Sequence, residues 1–374
     1  MTHTKKQITP HMLAVMLMAA LVVMYGLVPA QPELFGILPR AGSMIAENAA
    51  GAALLTIIVA AVGLLTRRVK IGREPVEIHP MIAVAVFVGG SYWLSGNSWI
   101  DAPEGIAGTI SALCRIAWFV IVINIRRSEL NILKRVLYVA ATVVLMFFDQ
   151  SRTYFLIALL VLLTDLGLIA VFPAILAALL VAAVRSSENY GLMHSVMFAI
   201  GGEGYLGSQG VFQVLTIGDR GINFSIPAIQ ALFSPLTATI TLFAKRLGYS
   251  ADMLDSSSYL GSYIQATTGD LYPPMGGFFI LSEFIRAGWL GVACMALYIA
   301  SVLFITKRLF DTVEFPIGSF IAILAIKNSP MVYWNLVISV FVVSYVVRRI
   351  GGILRSVRKS ERGASTPNLS YGRS

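Results

Sequence analysis

Apolar runs of about twenty residues, separated by short polar segments, recur along this chain and constrain its fold more than any other feature. A helix needs about 20 apolar residues to cross the hydrocarbon core of a bilayer, because each residue adds about 1.5 Å. Of the 374 residues, 57% are hydrophobic and only 13% are charged, which is more apolar surface than a soluble core of this size buries. The pattern predicts an all-α, polytopic membrane protein.

Seven runs are long and continuous enough to predict transmembrane helices. They are 11–30, 43–65, 80–97, 105–125, 133–150, 276–305 and 330–349. The run 153–184 is too long for one crossing and is interrupted between Thr164 and Gly167, which predicts two short helices with a tight cytoplasmic turn. A helix over 313–326 completes the set, since a polar break ending in Pro330 follows it. The prediction is a helical bundle of about ten transmembrane helices.

The basic residues predict the orientation of the bundle. Most of the 28 Lys and Arg residues form short clusters between the apolar runs. This is the positive-inside pattern, and it argues against a nucleic-acid-binding stripe despite a net charge of +9. We therefore predict that both termini are cytoplasmic. The first run follows Lys5 and Lys6 and resembles a secretory signal, but because many spans follow it we expect it to stay as the first helix.

One long polar segment, 185–275, is predicted to form a large periplasmic loop. It is rich in Gly, Ser, Tyr and Asp and too long for a simple connection. Within it, 222–247 is semi-apolar, which is consistent with an interfacial or re-entrant segment. We expect residues 1–355 to form a single transmembrane domain that includes this loop. A disordered basic cytoplasmic tail over 356–374, attracted to anionic membrane lipids, is expected to follow.

Several common kinds of site have no support in the sequence. The patterns G-x-x-x-x-G-K-[ST], H-E-x-x-H and CxxC are absent, so nothing indicates an ATP-driven pump, a zinc protease or a redox relay. The pair D-x-D, which many nucleotide-sugar glycosyltransferases use to hold a metal ion, is also absent. The two cysteines, Cys114 and Cys294, lie inside apolar runs and predict neither a disulfide nor a zinc site. We expect neither a metal ion nor another cofactor.

The end of the fifth predicted helix is the first candidate site. Arg152 follows it on the predicted outer side, against the positive-inside bias. A guanidinium matches two oxygens of a diphosphate at once, which makes Arg152 a candidate anion ligand. A snorkelling side chain paired with Asp149 is the alternative explanation.

The second candidate site lies in the predicted loop, over 201–224. Its glycines allow the backbone to approach a ligand closely. Asp219, Arg220 and Asn223 are suited to hydrogen-bonding sugar hydroxyls or an anion. A flexible, solvated loop is the alternative.

The third candidate site is 272–291, which begins at Tyr272 and carries Glu283 and Arg286 in the outer half of a predicted span. Their i, i+3 spacing places both on one helix face. Charges inside a membrane are costly and by default mark function, whereas an ion pair that seals two helices is the alternative. Arg115, inside the fourth predicted span, is a similar intramembrane cation. For it we prefer pairing between helices.

Together these segments resemble the Wzy-type polymerases of oligosaccharide repeat units, which assemble O-antigen, capsule and exopolysaccharide. The likeness begins with the Ser-Arg pair at 151–152, a short apolar helix after it and a single large outer loop. Its strongest part is Pro-x-Gly-Gly-Phe-Phe-x-x-Ser-Glu-Phe at 274–284, followed by Gly-Trp-Leu-Gly at 288–291. The resemblance covers roughly 145–305, and the first 140 residues match only in topology.

The resemblance implies a C-type glycosyltransferase architecture in the bacterial inner membrane. The growing glycan would move, at the periplasmic face, from its undecaprenyl diphosphate carrier to the end of a new undecaprenyl-diphosphate-linked oligosaccharide. Neither a nucleotide sugar nor a metal ion would take part. A flippase and a chain-length regulator are the partner proteins that such a role implies.

The resemblance also implies roles for individual residues. In such a reaction fixed cations stabilise the diphosphate leaving group and a base accepts the proton of the acceptor hydroxyl. Arg152, Arg220 and Arg286 are the implied cations, and Glu283 is the implied base or acceptor-orienting group. His194 is the second candidate for the base. The two long, similar, arginine-studded loops that some members carry are missing here, which argues against a two-loop catch-and-release scheme.

Two other functions fit part of the sequence. O-antigen ligases share the architecture and the donor but transfer glycan to the lipid A core, and they rely on an outer-loop histidine, for which His194 is the position to examine. A lipid or polysaccharide transporter without catalysis belongs to a different class. Such transporters usually show internal repeats and matched broken helices, which this sequence does not.

Overall fold

The computed structural model of the chain describes residues 9–30, 45–69, 72–75, 78–95, 105–149, 152–166, 171–191, 193, 235–240, 288–328 and 330–364. The helices are α1 (Pro10–Ala30), α2 (Ile45–Thr66), α3 (Pro80–Leu94), α4 (Gly105–Asn124), α5 (Ile132–Phe148), α6 (Arg152–Leu163), α7 (Val171–Tyr190), α8 (Gly288–Phe310), α9 (Gly318–Ile321), α10 (Ile323–Lys327) and α11 (Pro330–Ala364). Short 3-10 turns follow α4 at Arg127–Glu129 and α6 at Thr164–Leu166. Within these residues there is no β-strand, and an isolated parallel bridge joins Arg73 to Thr312.

Three of these helices are long and apolar enough to cross a membrane. The segments that meet this description by length and composition are Ala107–Asn124 in α4, Trp289–Phe310 in α8 and Val332–Ile353 in α11. Shorter apolar helices include Pro10–Val23, Ala53–Thr66, Pro80–Leu94 and Thr153–Leu163. An all-helical membrane protein is therefore supported. The count of about ten spans, the periplasmic side of the loop and the cytoplasmic side of the termini stay predictions.

The outward surfaces of the helices agree with a lipid environment. On α7 the large apolar side chains Phe172, Leu176, Leu180 and Val184 recur every fourth residue, and each is at least half exposed. A soluble protein would rarely expose such a stripe to water. In a bilayer the same stripe faces acyl chains at no cost.

Local signals set several helix starts where the sequence predicts them. Asn131 is the N-cap of α5, and its side chain accepts a hydrogen bond from the backbone N–H of Lys134 at 2.9 Å. At α3 the ring of His79 accepts from the backbone N–H of Met81 at 3.3 Å, and Pro80 occupies the first turn. Both devices satisfy N–H groups that have no partner inside the helix.

The helices α1 and α2 form a close hairpin. Ala14, Met18 and Val22 of α1 are buried in the core together with Val59 of α2. A Cβ at Gly63 of α2 would lie 2.6 Å from a methyl carbon of Val15, so the absence of a side chain there lets the two helices approach.

Helix α4 is central to the described part of the bundle, since it packs on α3, α6 and α11. Its second half is buried almost without interruption, from Trp118 to Ile123. Because α4 is also a candidate span, residues of neighbouring helices can be placed along the membrane normal by the α4 residues that they contact.

The described structure bears on several expected boundaries. The break predicted in 153–184 is confirmed, with the 3-10 turn Thr164–Leu166 between α6 and α7. The span predicted over 276–305 runs from Gly288 to Phe310, and 276–287 lies outside the described residues. Helix α11 continues to Ala364, beyond its predicted end at 349, so the first part of the tail expected to be disordered is helical.

The helix predicted over 313–326 is wrong in its first half. Residues 311–317 form a turn, after which α9 and α10 are two short helices. Pro316 disfavours helical backbone at the residue before it. The turn is also held by Thr312, whose hydroxyl accepts a hydrogen bond from the backbone N–H of Phe315 at 3.1 Å.

Candidate functional site

An ion pair in the apolar interior connects α4 to the end of α5. Nε of Arg115 donates to Oδ2 of Asp149 at 2.6 Å, and Nη2 donates to Oδ1 at 2.7 Å. This two-bond geometry uses the planar fork of the guanidinium against both carboxylate oxygens. The carboxylate is 0% exposed, whereas the Arg115 side chain is 21% exposed. The pairing between helices that we preferred for Arg115 is thus confirmed.

The position of Asp149 follows from how α5 ends. Asp149 is the C-cap of α5, and its backbone N–H donates to the carbonyl oxygen of Leu145 at 2.8 Å. The cap turns the chain out of the helix and leaves the side chain facing α4. An isolated carboxylate is very costly to bury, so its partner on α4 is what makes this position tolerable.

Trp118 of α4 makes further contacts with α5 close to the ion pair. The indole N–H of Trp118 donates to the hydroxyl of Thr142 at 3.1 Å. The Trp118 ring also lies between Phe87 of α3 and Tyr138 of α5, with centroid distances of 6.1 and 6.0 Å. Together with the ion pair, these contacts join α4 to α5 in an antiparallel orientation.

Helix α6 contributes an aromatic ring to the same site. The guanidinium carbon of Arg115 lies 5.6 Å from the centroid of the Tyr154 ring, within the range of a cation–π contact. The Tyr154 ring meets Phe119 of α4 edge to face at 6.2 Å. Arg115 therefore contacts a residue on each side of the α5–α6 turn.

The predicted anion ligand Arg152 is the first residue of α6, so the structure places its backbone directly after this turn. Its side chain lies outside the described residues, and so the alternative pairing of Arg152 with Asp149 stays untested. The site that can be described consists of Arg115, Asp149 and Tyr154, with Arg152 at its edge.

The remaining predicted site residues lie outside the described part of the chain. The implied catalytic residues among them are Glu283, Arg286 and His194. The implied substrate-binding residues among them are Asp219, Arg220, Asn223 and Tyr272. Whether these residues meet the α5–α6 turn stays a prediction.

A second polar cluster surrounds the 311–318 turn. Oδ1 of Asp311 accepts from the backbone N–H of Gly318 at 2.6 Å. Nζ of Lys307 donates to the carbonyl oxygen of Thr66 at 2.9 Å, which ties the end of α8 to the end of α2. Burial raises the pKa of Asp311 to about 7, although the Gly318 N–H and the Lys307 ammonium both act to lower it.

Two connections between helices dock on the same turn. Arg73, in the α2–α3 connection, pairs its backbone with this segment and donates from Nη2 to the Asn124 side chain at 3.0 Å. In the α4–α5 connection the backbone N–H of Arg127 donates to Glu314 at 2.6 Å, and its guanidinium lies 4.9 Å from the Phe315 ring. These contacts join several helix ends, so the cluster has a structural explanation.

On the other side of the turn, His11 of α1 bridges two elements. Its Nε2 donates to the carbonyl oxygen of Gly63 in α2 at 2.8 Å, and its Nδ1 hydrogen-bonds the hydroxyl of Ser319 in α9. The ends of α1, α2, α8 and the start of α9 therefore meet in one layer. The positive-inside pattern predicts that this layer is cytoplasmic.

Of the two clusters, only the first places a partly exposed cation deep inside a candidate span. A pair of this kind is suited to holding a turn in place and to presenting positive charge to an anion. In the part of the chain that the structure describes, no group of three His, Cys, Asp or Glu side chains is placed to hold a metal ion. In comparisons with known proteins, no family model, no curated protein and no solved structure matches this chain.

Proposed function

We propose that this protein is a membrane glycosyltransferase that polymerises oligosaccharide repeat units carried on undecaprenyl diphosphate. In each cycle the glycosidic bond between the growing glycan and its carrier diphosphate breaks. A new glycosidic bond forms to a hydroxyl of the next lipid-linked unit, whose proton goes to a base, and undecaprenyl diphosphate leaves. The reaction takes place at the periplasmic face of the inner membrane.

The observation that carries the proposal is the arrangement around the α5–α6 turn. Arg115 is held by Asp149 next to the start of α6, where Arg152 stands. Two arginines against one carboxylate give this region a net positive charge. A diphosphate buried beside a membrane needs such fixed cations, because charge that develops on a leaving group is stabilised best by donors already in place.

The apolar surroundings of the site support the same substrate class. The polyprenyl chain of the donor requires a lipid-facing route, and the exposed apolar faces of the helices offer one. Glu283 as base, with Arg220 and Arg286 as further cations, belongs to the proposal through the sequence resemblance. So do His194 as the second base and Asp219, Asn223 and Tyr272 as sugar contacts.

Purified protein in liposomes provides a direct test. With an undecaprenyl-diphosphate-linked repeat unit as the sole sugar source, without nucleotide sugar and with a metal chelator present, we expect a ladder of products and release of undecaprenyl diphosphate. Arg152→Lys should abolish the long products of the ladder and leave only slow release of undecaprenyl diphosphate, because an ammonium offers a point charge instead of a fork. The matched control is Arg126→Lys, at an exposed arginine in the α4–α5 connection, which should keep the ladder.

Two results would redirect the proposal. A single transfer to lipid A core acceptor, with no ladder from repeat units alone, would identify a ligase. Movement of intact lipid-linked glycan across the liposome membrane, with no new glycosidic bond, would identify a transporter. Either result removes the polymerase assignment.

A further inference from the structure

We infer that Arg115 and Asp149 are positioning residues that hold the α5–α6 turn, and with it Arg152, at about half the depth of the membrane. The part of this inference that concerns Arg152 and the substrate rests on the proposed function. The depth of the turn does not, because it follows from the helices alone. The donor diphosphate would then be bound inside the outer half of the bilayer and not at its surface.

The depth follows first from the position of Arg115. It lies near the middle of the candidate span Ala107–Asn124, about 12 to 14 Å from either end at 1.5 Å per residue. The Arg115 fork reaches Asp149 directly, so the carboxylate lies within one arginine side-chain length of the level of the Arg115 Cα. Asp149 also marks the end of α5. The end of α5 is therefore within one arginine side-chain length of the middle of α4, inside the length of that helix and not at its end.

The length of α6 leads independently to the same depth. This helix has 12 residues and measures about 18 Å, whereas a full crossing of the hydrocarbon core needs about 30 Å. A 3-10 turn, Thr164–Leu166, ends it before α7 begins. A helix that starts at half depth needs only about 15 Å to reach the surface, so α6 has the length that a half crossing requires.

The start of α5 should lie past the end of α4 if the other end of α5 lies at half depth. Because α5 ends at half depth, its 17 residues, about 25 Å long, must start beyond the end of α4. Ile132 and Leu133 in its first turn are 85% and 68% exposed, as expected for a turn that projects past its neighbours. The α5–α6 hairpin is thus displaced along the membrane normal relative to α4.

One side chain holds both sides of the turn. Arg115 binds Asp149 through two hydrogen bonds and contacts the Tyr154 ring at 5.6 Å. These two contacts bracket Arg152 in the sequence. The bonds to Asp149 use two of the five N–H donors of the guanidinium. Since the arginine is partly exposed and the carboxylate is not, the pair presents positive charge on its open side.

A purely structural ion pair makes a different prediction from a positioning pair. Arg115→Lys keeps the charge and loses the two-bond geometry. If Arg115 acts through Arg152, we expect this variant to lower kcat of the liposome reaction about 10- to 100-fold while KM and membrane abundance change little. In an Arg152→Lys background, adding Arg115→Lys should not lower kcat further. The side chain that Arg115 positions is already replaced there, so its position no longer matters.

The matched control is Arg349→Lys. It makes the same exchange at an arginine whose guanidinium hydrogen-bonds the Tyr345 hydroxyl and lies over the Tyr345 ring within α11. The contacts of Arg115 are left intact, so we expect kcat near that of the wild type. Losses from Arg115→Lys and Arg152→Lys that multiply, or an Arg115→Lys variant with full kcat, would overturn the positioning role.

The depth is measured without reference to activity. Both cysteines are replaced, and single cysteines are placed at Phe147 near the end of α5, at Leu113 near Arg115 and at Ile132 at the start of α5, positions that are 45%, 43% and 85% exposed. A fluorophore on each is quenched by lipids that carry spin labels at different depths. We expect Phe147 and Leu113 to report the same deep position and Ile132 a shallow one.

A shallow Phe147 label would overturn the inference whatever the protein polymerises. A wild-type protein that forms no polymer would instead remove the proposed function, and the depth measurement would still decide where the turn lies. The two failures are therefore distinguishable.

Discussion

The carboxylate of Asp311 accepts a hydrogen bond from the backbone N–H of Gly318 at 2.6 Å and thereby closes the turn between α8 and α9. Asp311 is 4% exposed. Burial disfavours its charged form more than Gly318 and Lys307 favour it, and so its pKa is raised from 3.8 to about 7. This relationship makes the stability of the turn depend on pH.

Unfolding of the wild-type protein in detergent should show that dependence. Because the folded state binds this proton more tightly than the unfolded chain, the linked stabilisation is complete below about pH 4 and is lost as the pH rises to about 7. We expect a lower Tm at pH 8 than at pH 5.5, and a smaller difference in Asp311→Asn. Glu314→Gln, at an exposed carboxylate of the same turn, should keep the wild-type difference. Equal pH dependence in Asp311→Asn and the wild type would contradict the prediction.

Gly318 is predicted to tolerate no side chain. A Cβ there would meet the carbonyl oxygen of Thr306 and would lie 2.5 Å from Cα of Lys307, and backbone atoms of a packed helix cannot move aside. We expect Gly318→Ala to destabilise the protein by roughly 1 to 3 kcal/mol, measured as a lower Tm. The control Gly352→Ala adds a methyl group in open space within α11 and should be neutral or slightly stabilising. Equal effects at both positions would show that the close contact does not matter.

The loop 185–275 is predicted to be periplasmic from the positive-inside pattern. A single cysteine at Ser208 should react with an impermeant thiol reagent in cells whose outer membrane is permeabilised. A cysteine at Ser356, exposed on the last part of α11, should react only after the inner membrane is lysed. The reverse order of labelling would invert the predicted topology.

Variants of Glu283 and Arg286 distinguish a catalytic role of Glu283 from a structural one. If it is the base, Glu283→Gln should leave cells with single repeat units in place of polymer, and adding Arg286→Gln should not restore polymer. If Glu283 and Arg286 merely neutralise each other, each single change strands a charge and lowers membrane abundance, while the double change recovers both abundance and polymer. Polymer length and abundance should be measured together in all three variants. Recovery in the double variant would sink the catalytic assignment of both residues.

Local patterns were sufficient for most of the helices. The starts of α3 and α5 depend on a capping side chain and a proline within a few residues of each helix end. The interruption between α6 and α7 is likewise visible in the polar residues around Asp165. These features are readable because capping, proline geometry and apolar length act over one or two helical turns.

The turn at 311–317 was missed for a different reason. An apolar stretch that ends in a polar break favours a span, and so a helix was expected from 313. The backbone of Arg73 and the side chain of Glu314 instead bind this segment to other helix ends. These partners are far apart in the sequence, so no local pattern predicts the contacts.

The sequence by itself determined that the chain is helical, that it belongs in a membrane and where most helices begin, because each of these properties follows from side chains within about twenty consecutive residues. Only the tertiary structure decided that Arg115, near the middle of the candidate span of α4, binds Asp149 at the end of α5. Charge in an apolar run signals that a partner exists. Which carboxylate is that partner depends on the register in which the two helices pack.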